Sequence, residues 1–104
     1  MNMANPMTAG LKPTHPGEML RTIILPEIDR PKAEIARLLG ISRQHFYDIL
    51  NGEKPVTPNM ALRLGKMFGG SPEAWIRMQN AFDLRREAEA MAEVLETIPD
   101  LAAA

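Results

Sequence analysis

Apolar residues along this chain recur at intervals of three and four, the period of a helix that buries one face. No stretch alternates as a half-buried strand would. Proline, glycine and hydroxyl residues cut the pattern into five helical segments. The first is expected over 16–25, with Thr14 as its N-cap, Met19, Leu20, Ile23 and Ile24 turned inward, and Pro26 ending it. A second helix over 32–39 turns Ile35, Ala36 and Leu39 inward and stops at Gly40, which suits the left-handed position after a helix. Ser42 caps the third, over 43–51, and Gly52 terminates it. Thr57-Pro58 and Ser71-Pro72 repeat one start signal, a hydroxyl cap followed by proline at the first helical position. Helices therefore begin at Pro58 and Pro72, separated by Gly69-Gly70. The last runs to about residue 96 and carries Trp75, Met78, Phe82, Met91 and Leu95, with Ile98 just beyond. Glu89, Glu93 and Glu96 crowd the negative end of its dipole and weaken that end by about a few tenths of a kcal/mol each. The expected fold class is all-α, five helices with a long C-terminal one.

A length of 104 residues supports one domain with an appendage. Its 45% apolar and 24% charged residues exclude a chain disordered by composition. The absence of cysteine excludes a disulfide scaffold, a thiolate metal site and a cysteine nucleophile. The longest apolar run, 23–26, is far short of the roughly 20 residues that span a bilayer, and the first ten residues lack the basic start and apolar run of an export signal. A cytoplasmic protein without membrane contact is expected. Residues 1–13, with Pro6, Gly10 and Pro13 and no periodicity, are expected to form a flexible arm, 14–84 the domain, and 85–104 a helical tail.

The net charge of −1 hides a division. Residues 1–79 hold 10 Lys/Arg against 7 Asp/Glu, and residues 80–104 hold 2 against 6. Within 30–66 the count is 7 basic to 3 acidic, so a phosphate-attracting surface belongs in the middle of the chain.

That middle contains two short helices joined at Gly40-Ile41-Ser42. For two helices to cross steeply over such a turn, the first needs a small residue at the point of closest approach, and Ala36 meets that need. Gly40 takes the special backbone position, Ile41 plugs the gap, and Phe46, Ile49 and Leu50 anchor the second helix. The helical period then turns Arg43, Gln44, Tyr47 and Asp48 outward. Arg can fork onto guanine O6 and N7, Gln can pair with adenine N6 and N7, and Asp can accept from cytosine N4. Each bidentate contact discriminates by about 1–3 kcal/mol. Lys32, Ser42, Asn51 and Lys54 flank this row with groups suited to phosphate, which orient a duplex without reading it.

The joint spacing of Ala36, Gly40, Ile41, Phe46 and Ile49 resembles the helix-turn-helix of the Cro and phage-repressor type, the XRE family, whose second helix enters the major groove. Phe46, where that family usually has an aliphatic residue, and the acidic Asp48 are departures. Three further blocks resemble the HigA (VapI-like) antitoxins of that family: His15-Pro16-Gly17-Glu18, the run Thr57-Pro58-Asn59-Met60-Ala61-Leu62-Arg63-Leu64, and Trp75 with Gln79, Asp83 and Leu84. The resemblance covers about 13–84. It implies a lambda-repressor-like domain and a homodimer on double-stranded operator DNA, placed in the cytoplasm at the nucleoid. It also implies a HigB-like, mRNA-cleaving toxin that the protein binds and neutralises while repressing their shared operon. Two third helices would then reach successive major grooves about 34 Å apart. A free-standing XRE-family regulator without a toxin is the alternative within this class. A protein-binding adaptor that has lost DNA contact is the alternative outside it.

No catalytic constellation or cofactor is expected. His45 and Asp48 share a helix face, but a metal needs three or four ligands and His15 is the only other histidine. The eight methionines signal adaptable packing. Trp75 and Phe82 read as core, while Met91 and Leu95 suit either partner contact or a solvated tail.

Overall fold

The structure, a computed structural model, describes residues 12–103. The expected arm over 1–13 lies, apart from its last two residues, outside the described residues. Among the described residues every regular element is helical.

The first segment starts at α1 (Pro16–Met19), capped by His15 and not by Thr14. The His15 Nδ1 accepts the Gly17 N–H at 2.9 Å, a bond open only to an imidazole that keeps this nitrogen unprotonated. From α1 the chain widens into a π-helical turn over Leu20–Ile24, then tightens into a 3-10 turn over Leu25–Glu27. Pro26 has no N–H, and its ring crowds the carbonyl four residues earlier, so the α ladder cannot continue to it. The Leu25 N–H instead reaches back five residues to Leu20. The wider turn shifts the helical phase and corrects the expected inward face: Leu20 and Leu25 are buried, Met19 and Ile24 are half-buried, and Ile23 is 64% exposed.

α2 (Lys32–Leu39) ends at Gly40, whose φ of 79° lies in the left-handed region. α3 (Arg43–Leu50), α4 (Pro58–Phe68) and α5 (Pro72–Ala90) follow. Their caps form as the sequence predicts. Ser42, Thr57 and Ser71 accept the backbone N–H of His45, Met60 and Ala74 at 3.0, 3.2 and 3.0 Å. The long last helix is divided, however. Met91 leaves helical geometry at φ −102° and ψ 10°, and the short α6 (Ala92–Glu96) resumes beyond it. Glu89 and Glu93 stand one turn apart across this break, and like charges at that spacing weaken a helix.

Leu20, Ile35, Phe46, Ile49, Met60 and Leu64 fill one core, joined by Trp75 at the start of α5. Full burial of each such side chain contributes about 1.5–3 kcal/mol. Polar ties fix the frame around it. The Arg63 Nη1 of α4 donates to the Leu39 carbonyl at 2.6 Å, satisfying the C-terminal end of α2. The buried Gln79 of α5 accepts the Val56 N–H at 2.8 Å and donates to Asp83 at 3.0 Å, which holds the loop between α3 and α4 against α5. Beyond Asp83 the chain leaves the core. Every residue over 84–102 is exposed, and the molecule is elongated, 56 × 29 × 20 Å.

Candidate nucleic-acid interface

The surface of α3 follows from what its other side buries. Phe46 and Ile49 have no exposed area and Leu50 is 3% exposed, so the helix is fixed in rotation. Ala36 is fully buried beside it, Ile41 packs half-buried on the core, and the Ile41 N–H donates to the Ala36 carbonyl at 3.1 Å. Opposite this seam Arg43, Gln44 and Tyr47 are exposed.

Asp48 is placed differently from its three neighbours. Its side chain is only 15% exposed and acts as a hub. Oδ1 accepts from the Gln44 amide nitrogen at 2.8 Å, and Oδ2 lies 3.8 Å from the Lys54 ammonium. The Asp48 backbone carbonyl also accepts the N–H groups of Glu53 and Lys54 at 2.8 and 3.2 Å. Gly52, at φ 75°, turns the chain so that this loop folds back under α3. The turn brings Lys54 close to the exposed row although it stands six positions beyond Asp48 in the chain.

Of the residues suited to phosphate, Lys32 stands exposed at the first position of α2 and Asn51 at the C-cap of α3. The Ser42 oxygen accepts from His45, leaving its hydroxyl proton for an outside acceptor. A cleft of about 220 Å³ collects Arg21, Lys32, Tyr47, Leu50 and Asn51. Arg21 is absent from the sequence-derived set. Its Nε donates to the Leu50 carbonyl at 3.4 Å, a long bond, and its Nη2 lies 3.9 Å from Glu18, so most of the guanidinium fork faces outward. The clue in the sequence is Gly17, four residues earlier, whose missing side chain lets α1 lie directly on α3.

His15 secures this junction from below. It is 6% exposed, its ring meets Phe82 edge-on at 5.1 Å between centroids, and Gly52 packs against it. Burial lowers its pKa from the ordinary histidine value. Arg86 acts in the same direction, while Asp83, the Lys54 backbone and Glu18 oppose it. His45 is half-buried on α3, and among the described residues no three His, Asp or Glu side chains gather as metal ligands.

The arrangement is therefore a row of hydrogen-bonding side chains on a rotationally fixed helix, bordered by cations and free amide or hydroxyl groups. Side chains of these kinds are able to hydrogen-bond base edges and phosphate oxygens. Fold and site together define a helix-turn-helix protein.

No protein-family model matches the chain. Virulence-associated protein I of Dichelobacter nodosus is 32% identical over 85 residues, covering 82% of this chain and 79% of that protein. Among solved structures, the antitoxin GraA matches with a TM-score of 0.82 and 35% identity, over 88% of this chain and 100% of that one. GraA has also been solved in complex with its operator. The antitoxin HigA of Pseudomonas aeruginosa, solved with the higBA promoter, matches with a TM-score of 0.79 and 32% identity over 86% of this chain and 97% of that one. The chain belongs to the HigA (VapI-like) family of helix-turn-helix antitoxins.

Among the described residues no helix is long and apolar enough to cross a membrane.

Proposed function

We propose that this chain is the antitoxin of an mRNA-cleaving, HigB-type toxin and the repressor of the operon encoding both. It acts as a homodimer in the cytoplasm, at the nucleoid. The observation that carries the DNA-binding half is the exposed row on α3, held outward by the burial of Phe46, Ile49 and Leu50. GraA and P. aeruginosa HigA, which share this fold at 35% and 32% identity, were both solved on operator or promoter DNA. Residues 14–84 form the DNA-binding unit and 85–104 a tail outside it.

In this reading Arg43, Gln44, Tyr47 and Asp48 face the base edges, Asp48 in part through its hold on Gln44. Lys32, Ser42, Asn51, Lys54 and Arg21 hold phosphates on either side. The role is one of binding, and no catalytic step is assigned to the chain.

The test is co-expression with the adjacent open reading frame, read by growth, together with a mobility-shift assay on the shared promoter. Growth rescue with a specific shift supports both halves. A specific shift without rescue leaves a free-standing regulator, and rescue without a shift removes the repressor role.

A further inference from the structure

Among the described residues His15 is the one buried titratable side chain, and no contact proposed for DNA uses it. Its ring joins three parts of the fold. Nδ1 accepts the Gly17 N–H and so caps α1. Phe82 of α5 meets the ring edge-on, with 83° between the planes. Gly52, in the loop between α3 and α4, lies against the ring, since a Cβ there would stand 3.8 and 3.9 Å from its Cγ and Cδ2. Nε2 is buried without a hydrogen bond of ordinary geometry, although the Lys54 backbone favours a proton on this ring.

Two of these three parts carry groups assigned to phosphate. Asn51 and Lys54 flank Gly52, and Arg21 follows Gly17 on the first helical segment. Arg21, Asn51 and Gly52 line one cleft of about 410 Å³ together with His15. Lys54 leads through Asp48, 3.8 Å away, to Gln44. The ring is thus a spacer beneath the loop, set between the cations on either side of it. We propose that His15 is a positioning residue for operator binding: its neutral ring fixes the spacing of Arg21, Asn51 and Lys54, and protonation releases that spacing and weakens the grip on DNA.

The geometry gives the reason. Once protonated, both ring nitrogens donate, and Nδ1–H would oppose the Gly17 N–H. Gly17 cannot yield, because α1 and α3 meet backbone to backbone at that residue. The ring must therefore withdraw, and Gly52 loses its support. Glu18 on the same helix and Asp83 on α5 favour the cation, whereas burial, the largest influence, and Arg86 on α5 oppose it. Lys12 and Arg21 line the same cleft, and the Lys54 ammonium is engaged by Asp48. The expected direction is diagnostic, because acid makes a protein more positive and by charge alone would strengthen its hold on DNA.

This proposal rests on the DNA-binding reading above, and the two are separable by experiment. The full chain and its His15→Gln variant, which keeps an acceptor for Gly17 but cannot take up a proton, are titrated against their own promoter duplex from pH 7.5 to 5 at constant salt. Circular dichroism at the same temperature confirms that both remain folded. The two should bind alike at pH 7.5, and the ratio of wild-type to variant affinity should fall by about threefold or more at pH 5. A ratio that stays level overturns the positioning role, as does a fall that coincides with loss of helical signal. A wild-type chain that does not bind the promoter even at pH 7.5 overturns the DNA reading itself, and this proposal with it. At pH 7.5, His15→Ala, which leaves the space under Gly52 empty, should make the slope of log affinity against log salt shallower by about one unit. A mere loss of folded molecules would weaken binding equally at every salt concentration, so an unchanged slope also counts against the proposal. If His15→Ala does not fold, the pH ratio alone decides.

Discussion

Gly17 and Ile49 touch so closely that a Cβ added to Gly17 would lie 1.7 Å from the Ile49 backbone oxygen. Neither atom sits on a flexible side chain, so the first helix and α3 are held at a separation only glycine allows. Gly17→Ala should therefore cost about 3 kcal/mol or more, at the upper end of overpacking effects, because backbone must move. Urea denaturation checks this, and a midpoint equal to that of the wild type would contradict the packing.

Arg43→Ala and Gln44→Ala should leave that midpoint within about 0.5 kcal/mol of the wild type, since both side chains are exposed. Each should reduce preference for the operator over random duplex by about 1–3 kcal/mol. Competition binding with the two DNAs measures it, and unchanged preference would remove these residues from base reading.

Arg21→Ala and Lys54→Ala should behave in another way. Each removes one cation at the margin of the row, so operator and random DNA should weaken alike, and the slope of log affinity against log salt should become shallower by about one unit. A salt titration of the wild type and both variants decides the matter. A slope that Arg21→Ala leaves unchanged would show that this guanidinium only braces α1 on α3.

His15 gives the fold a pH dependence with a definite sign. Its folded pKa lies below the ordinary 6.5, chiefly through burial, so below that pH the unfolded chain takes up the proton more readily. The stability due to neutral His15 is complete above about pH 6.5 and is lost as pH falls toward the folded value. Protonation of Nδ1 would also remove the acceptor for the Gly17 N–H. Melting temperatures from pH 8 to 5 should decline through this window in the wild type, and His15→Gln should flatten that part of the decline. A wild-type curve flat down to pH 5 would argue against it.

Helix positions were legible wherever a local signal decided them. Ser42, Thr57 and Ser71 cap as their neighbours demand, and Gly40 adopts the left-handed turn. The outward placing of Arg43, Gln44 and Tyr47 on α3 was legible too, because an eight-residue amphipathic helix leaves little choice of face, whereas Asp48, expected beside them, is only 15% exposed. What escaped depended on contacts between distant segments or on a changed helical period. His15 displaces Thr14 as cap because its ring is also wanted beneath Phe82 and Gly52. Ile23 faces outward because Pro26 forces a wider turn upstream, which a constant 3.6-residue repeat does not anticipate. Arg21 joins the candidate site only through the close approach of α1 to α3, and Asp48 became a hub through a loop that folds back.

The bond from Gln44 to Asp48 settles an ambiguity every glutamine carries. A carboxylate only accepts, so the amide nitrogen must turn toward Asp48, and the amide oxygen is left on the far side. In the proposed reading, in which Gln44 faces a base edge, that oxygen is an acceptor suited to the amino groups of adenine or cytosine, beside the one amide N–H that Asp48 leaves unused. If Gln44 reads a base as proposed, its orientation is set one helical turn away, by Asp48, in the DNA-free protein.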